Sequence, residues 1–456
     1  MSFTDQSSAA IDPNSHSAVA SSSSHAEWIP WLVSNRAALA LIDQGIVSGA
    51  SFLTSLAVGR YLGKESLGVY FLAAGLFTLL QCISDQIIHV PYLVHVPHFD
   101  DSRTRQYSAS AFVHAIVLTL FAVVAVAIGA ITRQASAEGD QLSRAMLALA
   151  VCFPGMMLRD FLHNYLHNRL RQFEVTCLDA LVTGLQIAAL GSLVLSDYLS
   201  IVNVVLVIGV ACSVIGVAWL PRLIVDLEFH SGRILPDFLF NWTIGKWALG
   251  SYLIGSSAPT ILPWFLASTA GIDDTGLFAA CLTLIGIAQV LLRGAGKYMA
   301  PRMVVAFVQG GRASLARYVS RTLHYTLALM TVVTAGMIVF GNQLISLGFG
   351  SQYSGVQATI FVLSLGCWLQ TIDIVAGNAL LAMGHSRLNF IGDCIRCLLT
   401  IVSAAALIGE LGPLGAALSM VIGTFAGLLV RIWYLRRELG DQQARGSTSI
   451  VGSRGA

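Results

Sequence analysis

Apolar residues recur along the chain in long runs that are separated by short polar connections. Examples are 112–131, 202–220 and 414–430. A helix needs roughly 20 residues to cross the ~30 Å hydrocarbon core of a bilayer, and the runs are about that long. The strands of a membrane barrel are shorter and alternate apolar with polar side chains, which these runs do not. The pattern therefore predicts an all-α membrane protein.

Twelve spans follow from this pattern, with a polar tail at each end of the chain. The first tail is rich in Ser and Ala and lacks the basic segment and apolar core of a cleavable signal peptide, so we predict a disordered segment. The predicted spans are 37–60, 67–96, 108–131, 142–163, 175–197, 201–221, 242–268, 276–300, 318–340, 354–383, 387–409 and 412–435. The predicted domains are a cytosolic tail at 1–36, a lobe at 37–221, a cytosolic linker at 222–241, a second lobe at 242–435 and a cytosolic tail at 436–456.

The two halves of the chain resemble one another. Gly63-x4-Gly68 opens the second span, and Gly271-x4-Gly276 opens the eighth, 208 residues later. Because each half contains six spans, both segments have the same topology. The match predicts two six-helix lobes related by a pseudo-twofold axis along the membrane normal, as in transporters whose two bundles rock around a central site.

Composition and charge support this assignment. Hydrophobic residues make up 55% of the chain and charged residues 11%, whereas a soluble domain is about a quarter charged. The net charge of +2 gives no support for nucleic acid as a partner. With the N-terminus in the cytosol, 17 lysines and arginines, Arg431 among them, lie on the cytosolic side, 4 lie outside and 5 fall within spans. Since positive residues favour the cytosolic side, both termini are predicted to be cytosolic.

Catalytic and metal motifs are weak in this sequence. Cys394 and Cys397 form a C-x-x-C within a span, which we interpret as two small apolar residues on one helix face. His163 and His167 lie at a membrane edge without a neighbouring carboxylate or thiol. The segment 293–297, RGAGK, lacks the frame of a phosphate-binding loop. We therefore predict no enzyme activity, no cofactor and no metal site.

Two polar stripes occupy equivalent positions in the two halves. The stripe in the second span contains Gln81, Asp85 and His89. The stripe in the eighth contains Gln289, Arg293 and Lys297, each 208 residues after its counterpart. Residues spaced by four share a helix face, so the repeat predicts that the stripes face each other across the central seam.

Charges at this depth cost about 2.5–3.5 kcal/mol each on insertion scales, so they face a cavity or a partner. One interpretation is that Arg293 and Asp85 neutralise each other and lock the lobes. The other is that Arg293 and Lys297 bind an anionic head group, assisted by Lys246, since Arg and Lys suit phosphate or diphosphate.

Buried carboxylates provide candidates for ion coupling. Asp43 and Asp373 lie within spans and have no obvious partner nearby in the sequence, so we predict that they couple transport to an ion or proton. Asp393 and Arg396, three residues apart, are expected to pair with each other.

Several segments together indicate a family. The stretch IDQGIVSGASFLTSLAVGRYLGKESLGVYFLAAGLFTLL contains an R-x-L-G-x4-G-x-Y turn between Arg60 and Tyr70. DDTGLFAACLTL, GKYMAPRM, LISLGFGSQYSGVQ and GPLGAALSMVIG follow in order. These pieces, which extend over 37–435, resemble the polysaccharide flippases of the multidrug/oligosaccharidyl-lipid/polysaccharide exporter superfamily.

The resemblance implies a two-lobed bundle of twelve helices in the bacterial inner membrane. It would move an undecaprenyl-diphosphate-linked oligosaccharide from the cytosolic to the outer leaflet for surface polysaccharide synthesis. Family members often have a cationic central cavity, and Arg293, Lys297 and Lys246 fit that role here. The implied partners are the lipid-linked glycan and membrane lipids. The resemblance does not decide whether glycan-assembly enzymes are partners as well.

Three other functions remain as alternatives. A cation-coupled multidrug exporter of the same superfamily would favour carboxylates and aromatic residues in the cavity over Arg293 and Lys297. A membrane glycan polymerase or ligase would need a sizeable external loop, and the external loops here are short. A non-transporting scaffold would have a dry core, against which the charges within spans argue.

Overall fold

The computed structural model describes the backbone of 36–136, 140–255 and 258–451, and the side chains of these residues except at 36–38, 41, 136, 297 and 439–451. All regular elements in these ranges are helical. The helices are α1 Arg36–Ser84, α2 Val90–His95, α3 Asp101–Ser136, α4 Gln141–Asn168, α5 Gln172–Leu195, α6 Ile201–Val225, α7 Ser231–Gly255, α8 Ala258–Thr269, α9 Ile272–Phe349, α10 Gln357–Ala382, α11 Ser386–Leu411 and α12 Pro413–Val451. A π-helical turn at Asp85–His89 joins α1 to α2, and short 3-10 turns lie at Val96–His98 and Ser351–Tyr353.

The prediction of about twelve spans is confirmed. Within the described ranges, 9 continuous helical segments are long and apolar enough to cross a bilayer. Two of them contain two spans each, because α1 turns at Gly63 and α9 turns at Gly310–Gly311. The seventh span consists of α7 and α8 on either side of 256–257. The chain is therefore an all-α, multi-pass membrane protein.

The helices extend further than the hydrophobic runs. Helix α7 begins at Ser231, inside the predicted linker 222–241, and α12 continues to Val451, inside the predicted tail 436–456. Hydropathy reports only the part of a helix that lies in hydrocarbon, so polar turns beyond it are missed. The N-terminal tail lies outside the described residues except for the start of α1 at Arg36. The division into two lobes and a linker stays a prediction.

The glycines of the repeat are equivalent in the structure. Gly63 and Gly271 have similar backbone conformations, and Gly68 and Gly276 contact each other. Gly63 has φ 86° and ψ 179°, and Gly271 has φ 101° and ψ 170°, values that favour glycine. A Cβ on Gly68 would lie 3.0 Å from the nitrogen of Gly276, and a Cβ on Gly276 would lie 3.2 Å from the nitrogen of Gly68. Reciprocal contacts of this kind are what a twofold axis produces.

Contacts between the two halves gather at the end of the bundle that contains these glycines, which the charge distribution predicts to be outside and which we call the outer end. The Lys64 ammonium lies 3.0 Å from the carboxylate of Asp273. Arg60 donates to the carbonyl oxygen of Leu347 at 2.6 Å. Helices α3–α6 pack mainly against each other, α1 and α7. The halves are thus joined at the outer end and through the seventh span.

Candidate functional site

Arg293 differs from the other arginines within the bundle, Arg159, Arg396 and Arg431, which are half-buried or buried. Its side chain is exposed, and its Nε donates to the carbonyl oxygen of Gln289 on its own helix at 3.3 Å. No described side chain forms an ion pair with it. Arg293 lies 21 residues after the start of α9, about 32 Å along the helix axis from the outer end. Among the described residues it is therefore a cation without an ionic partner, near the opposite side of the bilayer.

Lys246 is a second exposed cation within the spans. Its Nζ lies 5.8 Å from the ring centroid of Trp247, and no carboxylate in the described ranges pairs with it. Its neighbour Gly245 packs on the first half, where a Cβ would lie 3.1 Å from the carbonyl oxygen of Gln86. The side chain of Lys297, the third predicted cation, lies outside the described residues.

The stripe in the first half makes its contacts within that half. Gln81 donates to Asp160 at 2.5 Å, and Asn164 donates to Asp85 at 3.4 Å. The His89 Nε2 lies 4.0 Å from an oxygen of Asp85 and 4.0 Å from an oxygen of Asp160. These five side chains, Gln81, Asp85, His89, Asp160 and Asn164, form what we call the π-turn cluster.

Among the described side chains, the two stripes make no hydrogen bond or ion pair with each other, and their facing each other across the central seam stays a prediction. Gln289 donates to Gln370 of α10 at 2.7 Å, inside the second half. No hydrogen bond or ion pair in the described part of the chain links Asp85 with Arg293, so the interpretation that they lock the lobes is wrong for this conformation. The stripe of the second span finds its partners on α4 instead. Asp160 and Asn164 are four residues apart and therefore share a helix face, which contacts Gln81 and Asp85.

Asp43 belongs to a buried charged group on α1, α4 and α5. Ligand atoms of Asp43, His163 and Asp179 lie within 4.8 Å of one another. The Asp179 carboxylate accepts from His163 at 3.0 Å and from the Arg159 guanidinium. We call Asp43, Arg159, His163 and Asp179 the first-half ion cluster. His163 thus has a carboxylate neighbour that its surroundings in the sequence did not predict, because Arg159 and His163 are four residues apart and share the face of α4 that meets Asp179.

Asp373 also has partners, which lie 23 and 58 residues away from it in the sequence. Its carboxylate accepts from the Arg431 guanidinium and, at 3.4 Å, from Arg396. The Asp393 carboxylate accepts from Arg431 at 2.6 Å and from Arg396 at 2.7 Å, so the predicted pairing of Asp393 with Arg396 is confirmed. We call Asp373, Asp393, Arg396 and Arg431 the second-half ion cluster.

The second-half ion cluster was not predicted, because one of its arginines was assigned to the cytosolic side of the membrane. Arg431 was counted with the cytosolic residues, but it is 6% exposed and lies inside the bundle. A Cβ on Gly392 would lie 3.2 Å from its Cγ, so the glycine makes room for the side chain. Arg396 also donates to the carbonyl oxygen of Gly255, at the end of α7. Two arginines and two aspartates make this cluster neutral.

In sequence, the chain is distantly similar to a known membrane protein. No protein-family model matches the sequence. An uncharacterized membrane protein of Methanocaldococcus jannaschii is 23% identical over 197 residues, which cover 42% of this chain and 38% of that protein. The match thus spans well under half of that relative.

Solved structures are similar over most of the chain. The inward-facing conformation of a multidrug resistance MATE family transporter of the MOP superfamily gives a TM-score of 0.72 at 15% identity, covering 88% of this chain and 96% of that chain. The lipid II flippase MurJ in an inward closed conformation gives 0.70 at 12% identity, covering 87% of each chain. An outward-facing MATE transporter of the same superfamily gives 0.57 at 15% identity, covering 89% and 94%. The chain therefore has the fold of these transporters.

Proposed function

We propose that this protein is a flippase that moves an undecaprenyl-diphosphate-linked oligosaccharide from the cytosolic to the outer leaflet of the bacterial inner membrane by alternating access. Both termini would be cytosolic, and the product would serve surface polysaccharide synthesis. The fold supports a transporter or flippase. The partners would be the lipid-linked glycan and membrane lipids, with glycan-assembly enzymes receiving the product.

The observation that carries the proposal is the contrast between Arg293 and the paired arginines. Arg159, Arg396 and Arg431 each contact a carboxylate. Arg293 contacts none among the described side chains. A cation without a partner in a span is costly unless it faces water or binds an anion. A diphosphate offers oxygens that the planar guanidinium can bind in pairs.

The position of Arg293 suits this substrate. It lies near the side of the bilayer opposite the outer end, which the charge distribution predicts to be cytosolic. The halves are joined at the outer end by contacts such as Lys64 with Asp273. A head group arriving from the cytosolic leaflet would therefore meet Arg293 before the outer end opens.

A transport assay with purified protein tests this proposal. The protein is reconstituted in vesicles with a fluorescent undecaprenyl-diphosphate oligosaccharide, and a membrane-impermeant quencher reports its leaflet. Loss of a charge-assisted contact of about 1.5–3 kcal/mol predicts a reduction in flipping by Arg293→Ala of roughly ten- to hundredfold. The matched control is Arg302→Ala on the same helix, whose guanidinium carbon lies 3.4 Å from the Tyr298 ring centroid. Equal flipping by both variants would contradict the proposal.

A cation-coupled multidrug exporter is the second candidate. It is favoured by the fold, which is as similar to MATE transporters as to MurJ. The acidic first-half ion cluster also suits a cation. In the same vesicles, ion-driven efflux of a cationic dye without flipping of any diphosphate-linked glycan would establish this alternative in place of the flippase.

A further inference from the structure

The π-turn cluster contains three side chains with metal-ligand chemistry. Ligand atoms of Asp85, His89 and Asp160 all lie within 4.8 Å of one another. Asp85 and His89 are the first and last residues of the π-helical turn, and Asp160 faces them from α4. π-helical turns are rare and often occur at functional sites. The turn therefore brings a histidine and two carboxylates to one point.

The Nε2 atom of His89 has no hydrogen-bond partner among the described residues. His89 is 8% exposed, and this atom is buried. The Nε2 lies 4.0 Å from each of the two carboxylates, which is too far for a hydrogen bond. A buried polar atom without a partner is costly, so its position between two carboxylates indicates a place where a bound cation would satisfy it.

The charge of the cluster distinguishes it from the other two ionic groups. In the first-half ion cluster the Arg159 guanidinium occupies one side of Asp179, and in the second-half ion cluster two arginines balance two aspartates. In the described part of the chain, neither Asp85 nor Asp160 contacts an arginine or a lysine. A pair of carboxylates without a cation favours the binding of an external one.

We propose that Asp85, His89 and Asp160 bind a divalent first-row transition-metal cation, with Mn²⁺ and Zn²⁺ as the representatives of this class. One imidazole with two carboxylates suits these ions better than Mg²⁺ or Ca²⁺, which take oxygen ligands only. An ion at the centre of the three atoms would lie at most about 2.5 Å from each, within a few tenths of an ångström of the ~2.0–2.2 Å of zinc ligands. Small rotations of the side chains close this difference.

Two amides and an opening complete the site. Asn164 and Gln81 donate to the carboxylates and would hold them in place around the ion. The side chain of Asp85 is 29% exposed, whereas those of His89 and Asp160 are 9% and 5% exposed. The ion would therefore enter past Asp85. This inference is independent of the lipid proposed above as substrate.

Direct metal binding by the purified, detergent-solubilised protein tests the inference. The bound ion is counted after equilibration with Mn²⁺ or Zn²⁺, and the visible absorption of Co²⁺ reports the ligands. The wild type should bind one ion, and His89→Gln should bind it about tenfold or more weakly. Asp85→Asn is a second variant at the partly exposed edge of the site, and it should show the same loss with an unchanged elution profile.

His163→Gln is the matched control, because it alters the histidine of the first-half ion cluster. Retained affinity in this variant together with weaker binding in His89→Gln and Asp85→Asn supports the site. Loss of binding in His163→Gln with retention in His89→Gln would assign the ion to the other cluster and overturn the inference. Binding of no Mn²⁺, Zn²⁺ or Co²⁺ by the wild type would overturn it as well.

Discussion

The guanidinium of Arg431 is hydrogen-bonded to the carboxylate of Asp373, a residue 58 positions earlier in the chain. Both side chains are buried, at 6% and 2% exposed. Together with Asp393 and Arg396 they form a neutral group of four charges on α10, α11 and α12. Because Arg396 also donates to the Gly255 carbonyl oxygen, the group ties the end of α7 to the other helices of the second half.

Removal of Arg431 should destabilise the protein strongly. Arg431→Ala leaves two carboxylates facing Arg396 alone, and breaking a buried ion pair costs about 3–5 kcal/mol. We expect a markedly lower melting temperature in detergent. The control is Arg437→Ala on the same helix, whose exposed guanidinium stacks on Trp433 at 5.8 Å. Equal melting temperatures for the two variants would show that the buried group does not stabilise the fold.

A methyl group at the glycine contact should separate the halves at the outer end. In Gly276→Ala the new Cβ would lie 1.8 Å from the backbone carbonyl oxygen of Lys64, so the two backbones must move apart. We expect cysteine labels placed near the outer end to become several times more accessible to a membrane-impermeant reagent. Gly286→Ala on the same helix, where a Cβ meets nothing within 4 Å, should leave the accessibility unchanged. A similar labelling rate in both variants would contradict this account.

The packing of α7 against the π turn should affect the metal affinity of the proposed site. A Cβ on Gly245 would lie 3.1 Å from the Gln86 carbonyl oxygen and 3.1 Å from the Cα of Ile87, within the π turn. Gly245→Ala should therefore shift Asp85 and His89 and weaken Mn²⁺ binding several-fold, although no ligand is changed. Gly250→Ala on the same helix, where a Cβ has open space, should bind as the wild type does. Unchanged affinity in Gly245→Ala would mean that α7 does not act on the turn.

Asp43 is predicted to couple transport to an ion or proton. Its Oδ1 is buried without a hydrogen-bond partner among the described residues, and its neighbours are Asp179 and His163. In Asp43→Asn the stimulation of transport by a proton or sodium gradient should disappear while gradient-independent flipping remains. Glu65→Gln, an exposed carboxylate on the same helix, should keep the stimulation. Stimulation of Asp43→Asn at the wild-type level would assign coupling to another group.

More of the fold than of the sites could be predicted from the sequence. Hydropathy and the match between Gly63 and Gly271 give the spans and the repeat, because a membrane helix carries its signal in consecutive residues. The pairing of Asp373 with Arg431 could not be predicted in this way, since nothing in a single sequence indicates which distant residue a buried charge will meet.

The π turn was missed for a related reason. The spacing of Asp85 and His89 fits an ordinary helix as well as it fits a π turn, so it does not predict the change. The contact of Asp160 with Gln81 likewise joins residues 79 positions apart in the chain, which a single sequence does not reveal. Packing of α7 and α4 around this turn depends on residues far apart in the chain, such as Gly245 and Asn164.

The proposed function depends on the claim that Arg293 binds the diphosphate of a lipid-linked glycan. The most direct measurement is the rate of flipping of a fluorescent undecaprenyl-diphosphate oligosaccharide in vesicles that contain equal amounts of wild-type, Arg293→Ala or Arg302→Ala protein. We predict that Arg302→Ala flips at the wild-type rate and that Arg293→Ala is slower by roughly ten- to hundredfold, as expected for a lost charge-assisted hydrogen bond. Wild-type flipping by Arg293→Ala would contradict the claim.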